Sequence, residues 1–294
     1  MLQRNFLGLS ILMLCAFSNV RAQNTQQLAQ IEDSLIVAAD SMYNAFIPDE
    51  RTAYCEKFVR QLVRALKTPN SYKYSFEKLG KKINIIAPDD NSFRIFNWLI
   101  VPEENRPRYY GAIQMNEEEL RLYPLIDYSS ELKTGGEDSV LNNGRWFGAL
   151  YYRIVANKVN ERKVYTLFGL NSANPVSNRK ILDPLVFKEG GLEFGAPVFN
   201  VKSEHGGSRI KRYVMEYKKE VNASLNWDDE QKTIYFDKLV SQVNDPNRKY
   251  TYVPSGQYDG FKWQNGMWQY IQDLIPVQNV KDGDAPAPRP LSPK

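Results

Sequence analysis

The stretch that decides the fold reads Trp146-Phe147-Gly148-Ala149-Leu150-Tyr151-Tyr152-Arg153-Ile154-Val155-Ala156, then a polar segment over 157–163, then Val164-Tyr165-Thr166-Leu167-Phe168-Gly169-Leu170. Two aromatic and β-branched runs joined by a short connection predict a β-hairpin. Alternation sets Trp146, Leu150, Tyr152 and Ile154 on one face of the first strand and Phe147, Ala149, Tyr151 and Val155 on the other. Both faces are apolar. A strand of this kind belongs in the middle of a sheet that is covered on both sides.

Working back toward the start, residues 82–87, 93–100, 108–115 and 120–127 carry strand-like periodicity and are separated by Pro, Asp, Asn and Glu clusters. The polar run 129–145 is the longest loop before the hairpin. Earlier still the period becomes helical. Leu28, Ile31, Leu35, Ala38, Met42 and Phe46 form one stripe, and Tyr54, Cys55, Phe58, Val59, Leu62 and Leu66 form a second. Pro48 is expected to stop the first helix and Asp49 to cap the second, giving a helical hairpin over 23–68.

Forward from the central hairpin, short strands at 182–187 and 192–201 are broken by Pro184, Gly190-Gly191 and Pro197. Tyr213, Met215, Tyr217, Val221, Ala223, Leu225 and Trp227 then alternate with polar residues, as in an antiparallel sheet wet on one side. Residues 228–232 turn the chain into a strand at 233–239. Asn265-Gly266 is the preferred pair for a type I′ turn, which sets Trp263 across from Trp268 and Phe261 across from Tyr270. The fold class is therefore α+β and mainly antiparallel β, with the helical hairpin packed on a large sheet or sandwich over 72–275. A Pro/Ala-rich tail at 276–294 is expected to be disordered.

The first residues predict export. Arg4 precedes an apolar run of about a dozen residues and then Val20-Arg21-Ala22, a small-residue cleavage site, so 1–22 reads as a signal peptide and the destination as periplasmic or secreted. That run is shorter than the roughly 20 residues a membrane span requires. No integral membrane segment is expected after cleavage. Leu14 before Cys15 is not the small residue a lipid-anchor signal needs, and loss of the leader leaves Cys55 alone, read as a buried small hydrophobe. The net charge of +4 falls to +2 once Arg4 and Arg21 go with the leader. No basic run tracks a phosphate backbone, so nucleic acid is not an expected partner.

A single histidine, His205, removes sites built from several His ligands, and no metal or cofactor is expected. His205-Gly206-Gly207-Ser208 lacks the G-x-S-x-G elbow of a serine hydrolase, and no dinucleotide or P-loop fingerprint occurs. Ser-x-x-Lys recurs at Ser75, Ser130, Ser177 and Ser208, too often to discriminate. Asp127, Asp183, Glu193, Asp237 and Asp259 lie near strands and admit a carboxylate-dependent hydrolase, one acting on glycan being the natural case. The leading binding candidate is the aromatic face of Phe261, Trp263, Trp268 and Tyr270, which either stacks on a glycan or protein partner or packs in the core.

The runs Leu167-Phe168-Gly169-Leu170-Asn171 and Tyr258-Asp259-Gly260-Phe261-Lys262-Trp263, together with the leader, resemble those of exported bacterial proteins of unassigned function. That resemblance implies export and no particular chemistry. The function expected is binding or assembly outside the cytosol, with hydrolysis as the alternative.

Overall fold

The computed structural model describes residues 3–103, 106–132, 136–172, 175–203 and 206–274, and of 3–22, 103, 106, 202–203 and 206–207 the backbone alone. Helices α1 (Gln3–Asn44) and α2 (Pro48–Leu66) lead into fifteen strands among the described residues. Three sheets take them up. Sheet I orders β1 (Asn84–Ile86), β2 (Phe93–Glu103), β3 (Arg106–Met115) and β4 (Leu122–Ile126) in sequence. Sheet II runs from β11 (Tyr213–Lys218) through β7 (Ser177–Lys188) and β6 (Arg162–Asn171) to β5 (Leu150–Val159), with β8 (Gly191–Phe194) also on β7. Sheet III orders β10 (Gly206–Ile210), β9 (Phe199–Ser203), β15 (Met267–Ile271), β14 (Tyr252–Gln264), β13 (Thr233–Ser241) and β12 (Leu225–Asp228). All neighbours are antiparallel except β15 and β9.

Three apolar cores stack these elements into four layers. Leu35, Met42, Cys55, Phe58 and Leu62 of the helices bury against Phe96, Trp98 and Ile100 on the outer face of sheet I. Its inner face, with Phe93, Ile95 and Ile113, meets Tyr151, Leu167, Ile181 and Leu185 of sheet II. The far side of sheet II supplies Phe168, Leu182, Met215 and Tyr217 to a core completed by Leu225, Ile234, Phe236, Phe261 and Trp268 of sheet III. The central hairpin thus lies in the middle sheet and is covered on both sides. Among the described residues no helix is long and apolar enough to cross a membrane.

Several local expectations change. Pro48 begins α2 at N1 with Ile47 as the extended cap residue, because its fixed φ suits the first helical turn and the missing N–H is not needed there. Asp49 therefore lies inside the helix, and Phe46 is 91% exposed, off the apolar stripe. The segment 157–163 is strand on both sides of a two-residue turn at Asn160 and Glu161, both at positive φ; Lys158, Arg162 and Lys163 are exposed strand residues, which imitate a loop in sequence. Trp146 and Phe147 are buried but precede β5.

A register shift between Tyr151 and Arg153 overturns the face assignment of β5. The bulge adds a residue and inverts the parity. Tyr151 and Ile154 now face sheet I, while Tyr152 turns toward sheet III, donating from its hydroxyl to the Leu225 carbonyl at 2.8 Å. The alternation from Tyr213 to Trp227 also divides: β11 belongs to sheet II and β12 to sheet III, and the chain crosses between them over 219–224. Both strands keep their apolar sides toward the shared core, so the sequence pattern runs on unbroken. Pro184 sits inside β7 where that strand exchanges β11 for β8 as its outer partner, a position that needs no ladder N–H. His205 and the tail at 276–294 lie outside the described residues.

Candidate functional site

The Asn265-Gly266 turn forms with both residues at positive φ, 53° and 75°. It sets the expected register, Trp263 across from Trp268 and Phe261 across from Tyr270. The four aromatics do gather on one face, and that face turns inward. Phe261 and Trp268 are fully buried, and the Trp268 indole donates to Thr166 Oγ1 of sheet II at 3.0 Å. Trp263 packs edge-on to Trp268 at 5.1 Å and is half-buried. Of the four, Tyr270 borders a cleft.

That cleft, about 330 Å³, opens between the free edge of β11 and the face of sheet III. Half-buried Tyr213, Tyr252 and Tyr270 line it, and the Tyr213 ring packs 4.9 Å from that of Phe236, which is buried beneath it. Glu216, Asp237, Lys238, Lys249 and Asp259 supply its charge. One wall is shaped by an irregularity: between the pairs Asp237–Tyr258 and Leu239–Pro254, β14 spends three residues, Ser255 to Gln257, against Lys238 alone. A bulge of this size bends the strand and re-aims neighbouring side chains.

Asp259, only 4% exposed, accepts from the Tyr270 hydroxyl through Oδ2 and from the Asp273 amide through Oδ1 at 2.9 Å. Burial, and then the Asp259 carboxylate, push the Tyr270 phenol well above its usual range. The phenol therefore stays protonated with its hydrogen committed to Asp259, leaving its lone pairs for a ligand donor. Burial likewise raises Tyr213 far above the ordinary phenol value. Lys238 is held by Asp273 at 2.6 Å, and Lys249 lies 3.8 Å from Glu137. The cleft combines half-buried tyrosine rings with acceptors and cationic donors, which is the chemistry of a site for a small polyhydroxylated ligand.

The five carboxylates singled out in sequence are dispersed. Asp183 is fully buried, paired with Arg212 at 2.8 Å and accepting from Tyr151 at 2.8 Å. Asp127 accepts the Tyr109 and Ser129 amides, both at 2.9 Å, and Glu193 pairs with Lys188. Asp237 and Asp259 both border the cleft, yet Asp259 lies opposite Phe236 in the ladder while Asp237 is its neighbour, so the two carboxylates project from opposite faces of sheet III. Asp237 is occupied with the Ser224 amide and hydroxyl, at 2.6 and 2.8 Å. Asp237 and Asp259, the two that border one cleft, are thus each engaged by protein donors. Ser177 and Lys180 are three apart on β7, hence on opposite faces, and Ser177 donates to Glu216. Among the described residues no three of His, Cys, Asp and Glu lie close enough to hold a metal ion. Cys55 is buried, with the Trp98 indole donating to its sulfur at 3.4 Å.

Sequence reasoning missed Tyr213, Lys249 and Tyr252 as neighbours of Tyr270. The only trace of them was the alternation beginning at Tyr213. With Tyr270 they come from three separate stretches of the chain that only the tertiary fold brings together. No protein-family model, no curated protein and no solved structure matches the chain.

Proposed function

We propose that the protein is exported and acts by binding, taking a saccharide unit of an extracytoplasmic glycan into the tyrosine-walled cleft. The observation that carries this reading is the set of half-buried rings of Tyr213 and Tyr252 beside the Asp259-anchored Tyr270 hydroxyl, Lys238 and Lys249. A sugar presents an apolar ring face to aromatic groups and hydroxyls to both donors and acceptors. The cleft offers all three.

Titration with N-acetylglucosamine oligosaccharides and with hexose oligomers, followed by calorimetry, tests the binding. Millimolar or tighter binding is expected. Tyr252→Ala and Lys249→Met, at the rim, weaken it without altering the unfolding midpoint. No heat with either sugar class up to about 10 mM, or equal binding by both variants, refutes the assignment. Export is tested separately by sequencing the N-terminus of the protein expressed with its leader in a bacterial host, where Gln23 is the expected first residue.

A further inference from the structure

Sheet I has a notch in its outer edge. Strand β1 covers only Ile95 to Asn97 of β2, although β2 continues to Glu103. Hydrogen-bonded pairs alternate along an antiparallel ladder, and the Asn116 amide donates to the Ser92 carbonyl in line with the β2–β3 register. Residues 94, 96, 98 and 100 therefore spend their backbone groups on β3. Ile95 and Asn97 turn theirs toward β1, and Leu99 turns its N–H and C=O outward, where β1 no longer runs. Val101 C=O points the same way and is met at 2.9 Å by Arg51 Nη1.

A cavity of about 310 Å³ occupies the place the missing strand would fill. Met42, Trp98 and Ile100 belong to one wall and Leu150 to another. Asn97 borders the same cavity; it is fully buried, its Nδ2 donates to the Ala149 carbonyl at 2.7 Å, and its Oδ1 has no donor among the described residues. A buried amide oxygen without a donor is costly, and a ligand bringing an N–H removes that cost. The charged residues lining the cavity are Arg51 and Lys82, and Lys82 is answered by Asp40 at 2.5 Å. The mouth is left with a net positive charge.

We propose that this notch is a second binding site, which takes a short extended peptide bearing an acidic side chain and continues β1 along β2 by strand addition. The ligand class follows from the geometry. A backbone donor and acceptor on one strand edge, flanked by apolar walls on both sides of the pleat, match another extended backbone, and strand addition gains its affinity from such ladder bonds. This site is separate from the tyrosine-walled cleft and does not depend on it.

The test uses the whole protein, ¹⁵N-labelled, with acetyl-Val-Glu-Val-amide as probe and amide hydrogen exchange as readout. In the free protein the Leu99 amide is expected to exchange faster than those of Ile95 and Asn97. Saturating peptide slows it about tenfold, corresponding to roughly 1.4 kcal/mol. The same peptide with its backbone nitrogens methylated gives no protection, and acetyl-Val-Lys-Val-amide protects less. Protection of Leu99 in the free protein, no slowing with the parent peptide, or equal slowing by the methylated one overturns the proposal. Leu99→Pro removes the donor at an edge position and abolishes the effect on neighbouring amides; because Pro can also perturb folding, the methylated peptide remains the deciding comparison.

Discussion

At the scale of single residues, the least tolerant point is the pair Asp183 and Arg212, both without exposure. Arg212 also donates to the Gly136 carbonyl at 2.5 Å and lies over the Phe147 ring at 5.1 Å, tying the loop before the central hairpin to sheet II. Burial raises the Asp183 carboxyl against the opposing pull of Arg212 and Tyr151, so the ionised pair stands on its hydrogen bonds rather than on a free gain from attraction. Asp183→Ala leaves a buried guanidinium without its counter-charge and is expected to cost about 3–5 kcal/mol in urea unfolding. Asp183→Leu combined with Arg212→Met should recover most of that loss. Equal losses in the single and double variants would contradict the argument.

Asp90 shows the opposite electrostatics. Burial works against its charge, but Lys163 at 2.6 Å together with Ser92 and Tyr165 overcomes burial and lowers the carboxyl to about 2. An unfolded Asp titrates near 3.9, so this group stabilises the fold above that value. Its contribution is lost as the pH falls from about 4 toward 2. Asp90→Asn should flatten the acid limb of stability across that window, measured as unfolding midpoint against pH, and leave the neutral-to-basic limb unchanged in shape.

At the scale of elements, what was legible in the sequence is what is local. Asn265-Gly266 fixed a hairpin register because two adjacent positions at positive φ admit few residues. Gly266→Ala places a Cβ in that conformation and is expected to cost about 1–2 kcal/mol, read from chemical denaturation. The bulge in β5 was not legible, since Tyr152 and Ile154 are apolar on either face and no Gly or Pro marks the extra residue. The sheet change after β11 was hidden for a related reason: both strands feed one core, so the pattern survives the crossing. Gly148, at φ 72°, is a third case. A Cβ there would lie 2.2 Å from Asp127 Oδ1, a contact between segments about twenty residues apart that no local pattern announces. The candidate cleft was legible only in pieces, as Tyr270 in an aromatic face and Asp237 and Asp259 among scattered acids, because β11 and β13 reach the last hairpin only through the tertiary fold. Arg94 likewise joins elements by long-range contacts, donating to Gln114, Tyr74 and Ser71 and lying among the Tyr72, Phe76 and Phe96 rings.

At the scale of the molecule, the layers are not independent, because sheets I and II each contribute side chains to two cores. Phe93 and Ile95 bind sheet I to sheet II, while Phe96 and Trp98 on the same strand bind it to the helices. On β6, Leu167 faces one core and Phe168 the next. Loosening either outer layer exposes a whole apolar sheet face, so the described chain from the helical hairpin to β15 should unfold as one cooperative unit. The tryptophans allow each core to be watched: Trp98 reports the helix-facing core, Trp146 the middle one and Trp268 the one beneath sheet III. Variants that retain one of these three, with Phe at the other tryptophan positions, are expected to give coincident urea transitions, and the far-UV signal of the helices should follow the same curve. An early transition at Trp98 together with the helical signal would instead make the helical hairpin a separate unit. A late, isolated transition at Trp268 would assign that independence to sheet III, and with it the tyrosine-walled cleft to a layer able to open by itself.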